Sequence, residues 1–161
     1  MKVKVLSSLV ILLFSLPLYP QGKVECYYDI NISNNVPAIS DFSIKNIATK
    51  AIQANMPANM IRSYDTNATL HFVLNVSLMQ VKNNYGYNIG AAIFIYASLR
   101  SYPLMITALM PEDNKIGVTG DIYDISFISN AINETVANVF GQYDLIKELI
   151  IKYLSEHGTR E

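Results

Sequence analysis

The chain has 161 residues, 51% of them hydrophobic and only 16% charged, a balance that excludes a disordered, solvating polypeptide. Lys and Arg total 12 against 13 for Asp and Glu, so the formal charge of -1 lacks the basic excess that tracks phosphates, and nucleic acid is not an expected partner. A single cysteine forbids an intramolecular disulfide and 2 histidines leave little for a zinc site, yet a chain of this length closes a core with no metal, cofactor or disulfide.

At the N-terminus, Lys2 and Lys4 precede an apolar run from Val5 to Phe14 that extends through Leu16, Leu18 and Tyr19 and is broken by Pro17 and Pro20. This is the charged-then-apolar order of a secretory signal peptide, expected over residues 1–22 with cleavage after Gly22. A retained anchor fits less well, because a spanning helix needs about 20 apolar residues and two prolines interrupt this one. Cleavage removes Lys2 and Lys4 and no acidic residue, so the mature domain, residues 23–161, is the more acidic. Cys26 is not placed for lipidation, since the charged Lys23 and Glu25 stand where small residues are wanted; it reads as a lone, inert thiol in the first strand.

Val24, Cys26, Tyr28, Ile30 and Ile32 alternate with polar residues and predict a half-buried strand. Ser40 or Asp41 then caps a helix carrying Ile44, Ile47, Ala48, Ala51 and Ile52, with Pro57 as its stop. A short strand is expected at Met60 to Tyr64 and a turn at Asp65 to Asn67. The strongest signal is Leu70, Phe72, Leu74, Val76 and Leu78 on one strand face, with His71, Asn75 and Ser77 on the other. Asn83, Asn84, Tyr85 and Gly86 supply turn chemistry, and Ile89 to Leu99 returns as a central antiparallel strand, apolar on both faces. Leu104 to Met110, a turn at Pro111 to Asn114 and Lys115 to Thr119 predict a further hairpin. A closing helix starts at Asp124 or Ser126 and carries Ile128, Ile132, Val136, Val139, Tyr143, Ile146, Ile150 and Tyr153, with Gly141 as a point of kinking or division. Lys147 and Lys152 suit its C-terminal end and Gly158 its termination.

Catalytic signatures are lacking: there is no G-x-S-x-G elbow, H-E-x-x-H pair, phosphate-cradling loop or dinucleotide fingerprint. His71 is the one candidate base, but nothing in the sequence sets an acid beside it, and a Cys26–His71 pair has no supporting context; His157 is weaker still. Glu112, Asp113, Asn114, Asp121 and Asp124 offer oxygen ligands, yet their spacing fails the calcium-loop pattern, and capping and turn formation explain them without a metal. Arg62, Lys82 and Arg100 are too scattered to form a basic stripe. Tyr85, Tyr87, Tyr96 and Tyr102 gather in or beside the central hairpin, either as strand and core residues or as amphipathic rings for a partner. Four Asn-x-Ser/Thr sequons, at Asn31, Asn67, Asn75 and Asn133, read as chance products of an asparagine-rich, bacterial type of composition.

The expected architecture is α+β, in strand–helix–strands–helix order. An antiparallel sheet of four or five strands carries both helices on one face. With the terminal Tyr153-Leu154 pair, this order resembles small exported α+β domains of bacterial envelopes, some belonging to envelope-assembly accessory proteins. The resemblance implies a periplasmic or secreted, non-enzymatic binding protein with no membrane span after signal cleavage. Its partner is expected to be another envelope or extracellular protein, or itself. The expected binding residues are Tyr85, Tyr87, His71 and Asn75, around the outward side of Leu70 to Val81. A small hydrolase using His71, and a homodimer through the exposed sheet face, are the alternatives.

Overall fold

The computed structural model describes residues 24–68, 70–101, 112–121 and 124–144. In chain order the elements are β1 (Val24–Asn34), α1 (Asp41–Asn55), β2 (Met60–Ser63), β3 (Leu70–Lys82), β4 (Asn88–Ser101), β5 (Glu112–Thr119) and α2 (Ile125–Gly141). The signal segment, Tyr102, Leu104 to Pro111, and Ile146 onward, including Lys147, Ile150, Lys152, Tyr153-Leu154, His157 and Gly158, lie outside the described residues.

The strands form one sheet in the order β2-β1-β3-β4-β5. The expected all-antiparallel sheet is corrected here: β1 runs parallel to both β2 and β3, and only β3, β4 and β5 are antiparallel neighbours. Strand periodicity is the same in either direction and does not reveal it. Direction comes from the connection, because a strand–helix–strand crossover through α1 returns the chain to the end of β1 where it began. The predicted turn at Glu112 to Asn114 is also corrected, since those residues are paired in β5.

Local chemistry accounts for the boundaries. The Ser40 hydroxyl accepts from the Ser43 amide at 3.1 Å and caps α1, which closes where the Met56 amide reaches the Ile52 carbonyl at 2.9 Å, just before Pro57. Asn34 braces the β1–α1 loop, donating to the Ile39 carbonyl at 2.6 Å and to Asp41 at 3.0 Å. Between β3 and β4, Asn83 accepts from the amides of Tyr85 and Tyr87 at 3.0 Å each, while the Gly86 amide reaches the Asn83 carbonyl at 2.9 Å. Gly86 has φ +83°, a left-handed geometry that glycine adopts without strain and that lets the turn from Asn83 close into the hairpin.

Both helices cover the same face. Leu70, Phe72, Leu74, Val76 and Leu78 of β3 and Ile93, Ile95, Ala97 and Leu99 of β4 are buried beneath Ile44, Ala48 and Ile52 of α1 and Ile128, Ile132, Val136, Val139 and Phe140 of α2. Phe72 and Phe140 stack, with centroids 4.7 Å apart and planes 17° apart. Asp124 caps α2 by accepting from the Phe127 amide at 2.9 Å and the Ser126 hydroxyl at 2.5 Å. These bonds, that from Ser126 foremost, hold its carboxyl below the ordinary carboxylate range. Among the described residues α2 ends at Gly141, the point where the sequence allowed a kink or a division, and Gln142 caps it; the expected helix from Ile146 onward lies outside the described residues.

Candidate functional site on the uncovered sheet face

Strand alternation and the pairing register place a second set of side chains on the face away from the helices. Taken from the end where β3 begins, the cross-strand rows are Tyr27, His71 and Arg100, then Asp29, Val73, Ser98 and Glu112, then Asn31, Asn75, Tyr96 and Asn114. Beyond these come Ser33, Ser77, Phe94 and Ile116, and finally Met79, Ala92 and Val118. The face is thus graded: charged and polar at one end, where Ser98 is fully buried and the His71 Nε2 is out of contact with solvent, and apolar and exposed at the other.

At the polar end the His71 ring lies against Tyr27, centroids 5.4 Å apart and tilted by 49°. Its directly opposite neighbours are Tyr27 and Arg100, so neither flanking strand sets a carboxylate straight across from the imidazole. Cys26 belongs to the other face, where it pairs with Leu70, and the sheet itself separates its thiol from His71. Burial pushes that thiol up to about 12, which removes it as a nucleophile near neutral pH. In the central row Asn31 donates to Asn75 at 3.3 Å and to Asp29 at 3.4 Å, linking β1 to β3 through side-chain amides.

The apolar end lies across β3, β4 and β5. Ile116 is 74% exposed, Val118 65%, Met79 55% and Phe94 40%, and the register sets Phe94 beside Ile116, with Ala92 between Met79 and Val118. Directly opposed residues on neighbouring strands sit roughly 4.5–5.5 Å apart, so these side chains form one continuous surface. Tyr85 and Tyr87 are exposed at the hairpin that joins β3 to β4, off this same end.

The predicted binding set does not come together. His71 stands at one end of β3 and the hairpin bearing Tyr85 and Tyr87 at the other, about 36 Å apart at a rise of ~3.3 Å per residue. Asn75 lies midway, in the amide row. Ile116, Val118 and Phe94 were missed as surface residues. Their alternation was legible, but apolar alternation is ordinarily assigned to the core.

The acidic residues near β5 are engaged within the fold: Asp113 accepts from Asn138 at 3.0 Å, and Asp124 is the α2 cap. No group of three or more His, Cys, Asp or Glu side chains able to hold a metal occurs among the described residues. Arg62 is stacked over the rings of Tyr28 and Tyr64, 4.3 Å from each centroid. A shallow groove of about 390 Å³ runs between α1 and α2, lined by Ile47, Lys50, Ala54, Ser129 and Asn133 among others, on the side of the helices away from the graded face. No helix of the described residues is long and apolar enough to cross a membrane.

No family model matches the chain, and no curated protein does. Among solved structures it is similar to a PelC dodecamer from Paraburkholderia phytofirmans, at 13% identity and TM-score 0.45, over 74% of this chain and 88% of that one. It is also similar to a minor lipoprotein from Acinetobacter baumannii, at 8% identity and TM-score 0.37, over 76% and 94% of the two chains. A third likeness is to rare lipoprotein B from Shewanella oneidensis, at 10% identity and TM-score 0.31, over 80% and 98%. Two of the three are lipoproteins by description.

Proposed function

We propose that the chain is an exported, non-enzymatic binding or accessory protein of the bacterial periplasm or cell exterior, working through the exposed apolar end of the sheet face away from the helices. One observation carries the reading: Phe94, Met79, Ile116 and Val118 expose a contiguous apolar surface on regular, well-packed strands. Apolar area of this kind, rimmed by polar residues, is the usual mark of a protein contact. Tyr85 and Tyr87 extend the surface at the hairpin, and the amide row through Asn31 and Asn75 forms its polar border. The leader-like residues 1–22 support export, and the partner is another envelope or extracellular protein. His71 belongs to the charged end and not to the binding surface.

A deletion strain complemented with single variants tests this. Phe94→Asp, placed on the exposed face and checked for native far-UV circular dichroism, is expected to fail in complementation, whereas His71→Ala is expected to succeed. The opposite pair of results overturns the binding reading in favour of a histidine-dependent hydrolase.

A further inference from the structure

Among the described residues β5 is an edge strand, with β4 on one side and no strand on the other. Edges are commonly blunted by shortness, charge, proline or bulges. The opposite edge, β2, is only 4 residues long, whereas β5 runs for 8 residues without proline and pairs with β4 in unbroken register, its charges Glu112, Asp113 and Lys115 all lying in its first half. It also carries the two most exposed aliphatic side chains of the sheet, Ile116 and Val118.

We infer that this chain self-associates by pairing β5 antiparallel with β5 of a second copy, about a two-fold axis through Gly117, giving one continuous sheet across the two molecules. The inference rests on the same exposed surface as the proposed function and assigns its β5 edge to a second copy. Self-pairing of a strand is isologous, so each residue must suit the partner that the axis gives it. An axis at Lys115 sets two ammonium groups against each other. An axis at Ile116 sets Val118 against Asn114 on the exposed face. With the axis at Gly117, Ile116 of each copy meets Val118 of the other and Lys115 meets Thr119, so the apolar pair is matched twice within the strand. The same axis sets Asp113 toward Asp121 of the other copy, but β5 ends at Thr119, so that carboxylate pair lies past the end of the ladder, at the solvent-facing margin.

The residue on the axis is suited to its place. A Cβ at Gly117 would come within 2.6 Å of the Phe127 ring, so the first turn of α2 already leans over this point of the edge. Pairing about Gly117 brings the Phe127 turns of the two copies alongside each other on the helix side. Apolar contact then accompanies the backbone ladder on both faces.

Light scattering on the full chain is expected to give twice the single-chain mass. Val118→Asp is expected to return it to one chain with unchanged far-UV circular dichroism. The register is tested with Ile116→Cys and Val118→Cys. Under mild oxidation each variant alone is expected to cross-link weakly, while an equimolar mixture cross-links several-fold more, because only the mixture sets cysteine opposite cysteine; buried Cys26 stays out of the reaction. A single-chain mass at every concentration, or a mixture that cross-links no better than its components, overturns the inference. A monomer whose Phe94→Asp variant still fails in complementation sinks the dimer alone. A dimer whose Phe94→Asp variant complements sinks the binding reading alone.

Discussion

β3 and β5 belong to one sheet and both alternate residue by residue, yet they turn opposite kinds of face toward the helices. In β3 the row from Leu70 to Leu78 is buried and the polar residues look outward. In β5 the residues facing α2 are Asp113, Lys115, Gly117 and Thr119, while Ile116 and Val118 are left outside. The difference originates in α2. Its flank over β5 presents Phe127, which needs the empty place at Gly117, then Glu134, which pairs with Lys115, and Asn138, which donates to Asp113. A shift of one residue would bury Ile116 and Val118 but break all three contacts, so the helix decides which side of the strand is the inside.

The sharpest way to break this comparison is to truncate one residue from each strand. Phe72→Ala empties a fully buried site stacked on Phe140 and is expected to cost about 3–5 kcal/mol in denaturant unfolding. Ile116→Ala is expected to stay within roughly 0.5 kcal/mol of the wild-type protein at concentrations where the chain is monomeric. Equal costs would mean that Ile116 is a core residue after all.

Gly117→Val probes the fit between β5 and α2. The added side chain must displace the Phe127 ring, and overpacking of this kind costs about 1–3 kcal/mol. Combining it with Phe127→Ala is expected to recover part of the loss, as a double-mutant cycle would show.

Cys26 reports on the inner face from the β1 side. Its thiol lies well above its ordinary value of 9.0, at about 12, because burial penalises the thiolate. A raised folded value means that the stability from the buried neutral thiol is fully present below about pH 9 and is lost as pH rises toward 12. A thiol reagent at neutral pH should therefore label the chain only after unfolding, and Cys26→Ala should flatten the alkaline limb of the stability profile.

A small effect is also expected at the Lys115–Glu134 pair, whose side chains are 35% and 59% exposed. Either alanine substitution is expected to cost less than about 1 kcal/mol, and less again in high salt, because solvent screens such a pair. A larger, salt-insensitive loss would mark the pair as the element that orients β5.

Much of the local structure was legible in the residues. The β3 row, the Ser40 and Asp124 caps and the Asn83 to Gly86 turn each rest on chemistry within a few positions, and each occurs where that chemistry predicts it. The parallel placement of β1 between β2 and β3 was not legible, because pleat periodicity carries no direction. The candidate site was legible only in part. Tyr85 and Tyr87 are exposed, one of the two readings their sequence left open, and separating them from His71 required knowing that β3 extends unbroken between them.

Composition and alternation by themselves determined that this chain forms two amphipathic helices on an α+β sheet, because hydrophobic period and capping act over one or two turns. Which way the strands run, which side of β5 faces inward and therefore where apolar surface is left exposed were decided only by tertiary packing. Those outcomes depend on how Phe127, Glu134 and Asn138 of a helix meet a strand that precedes them in the chain, and no local pattern in either segment specifies that meeting.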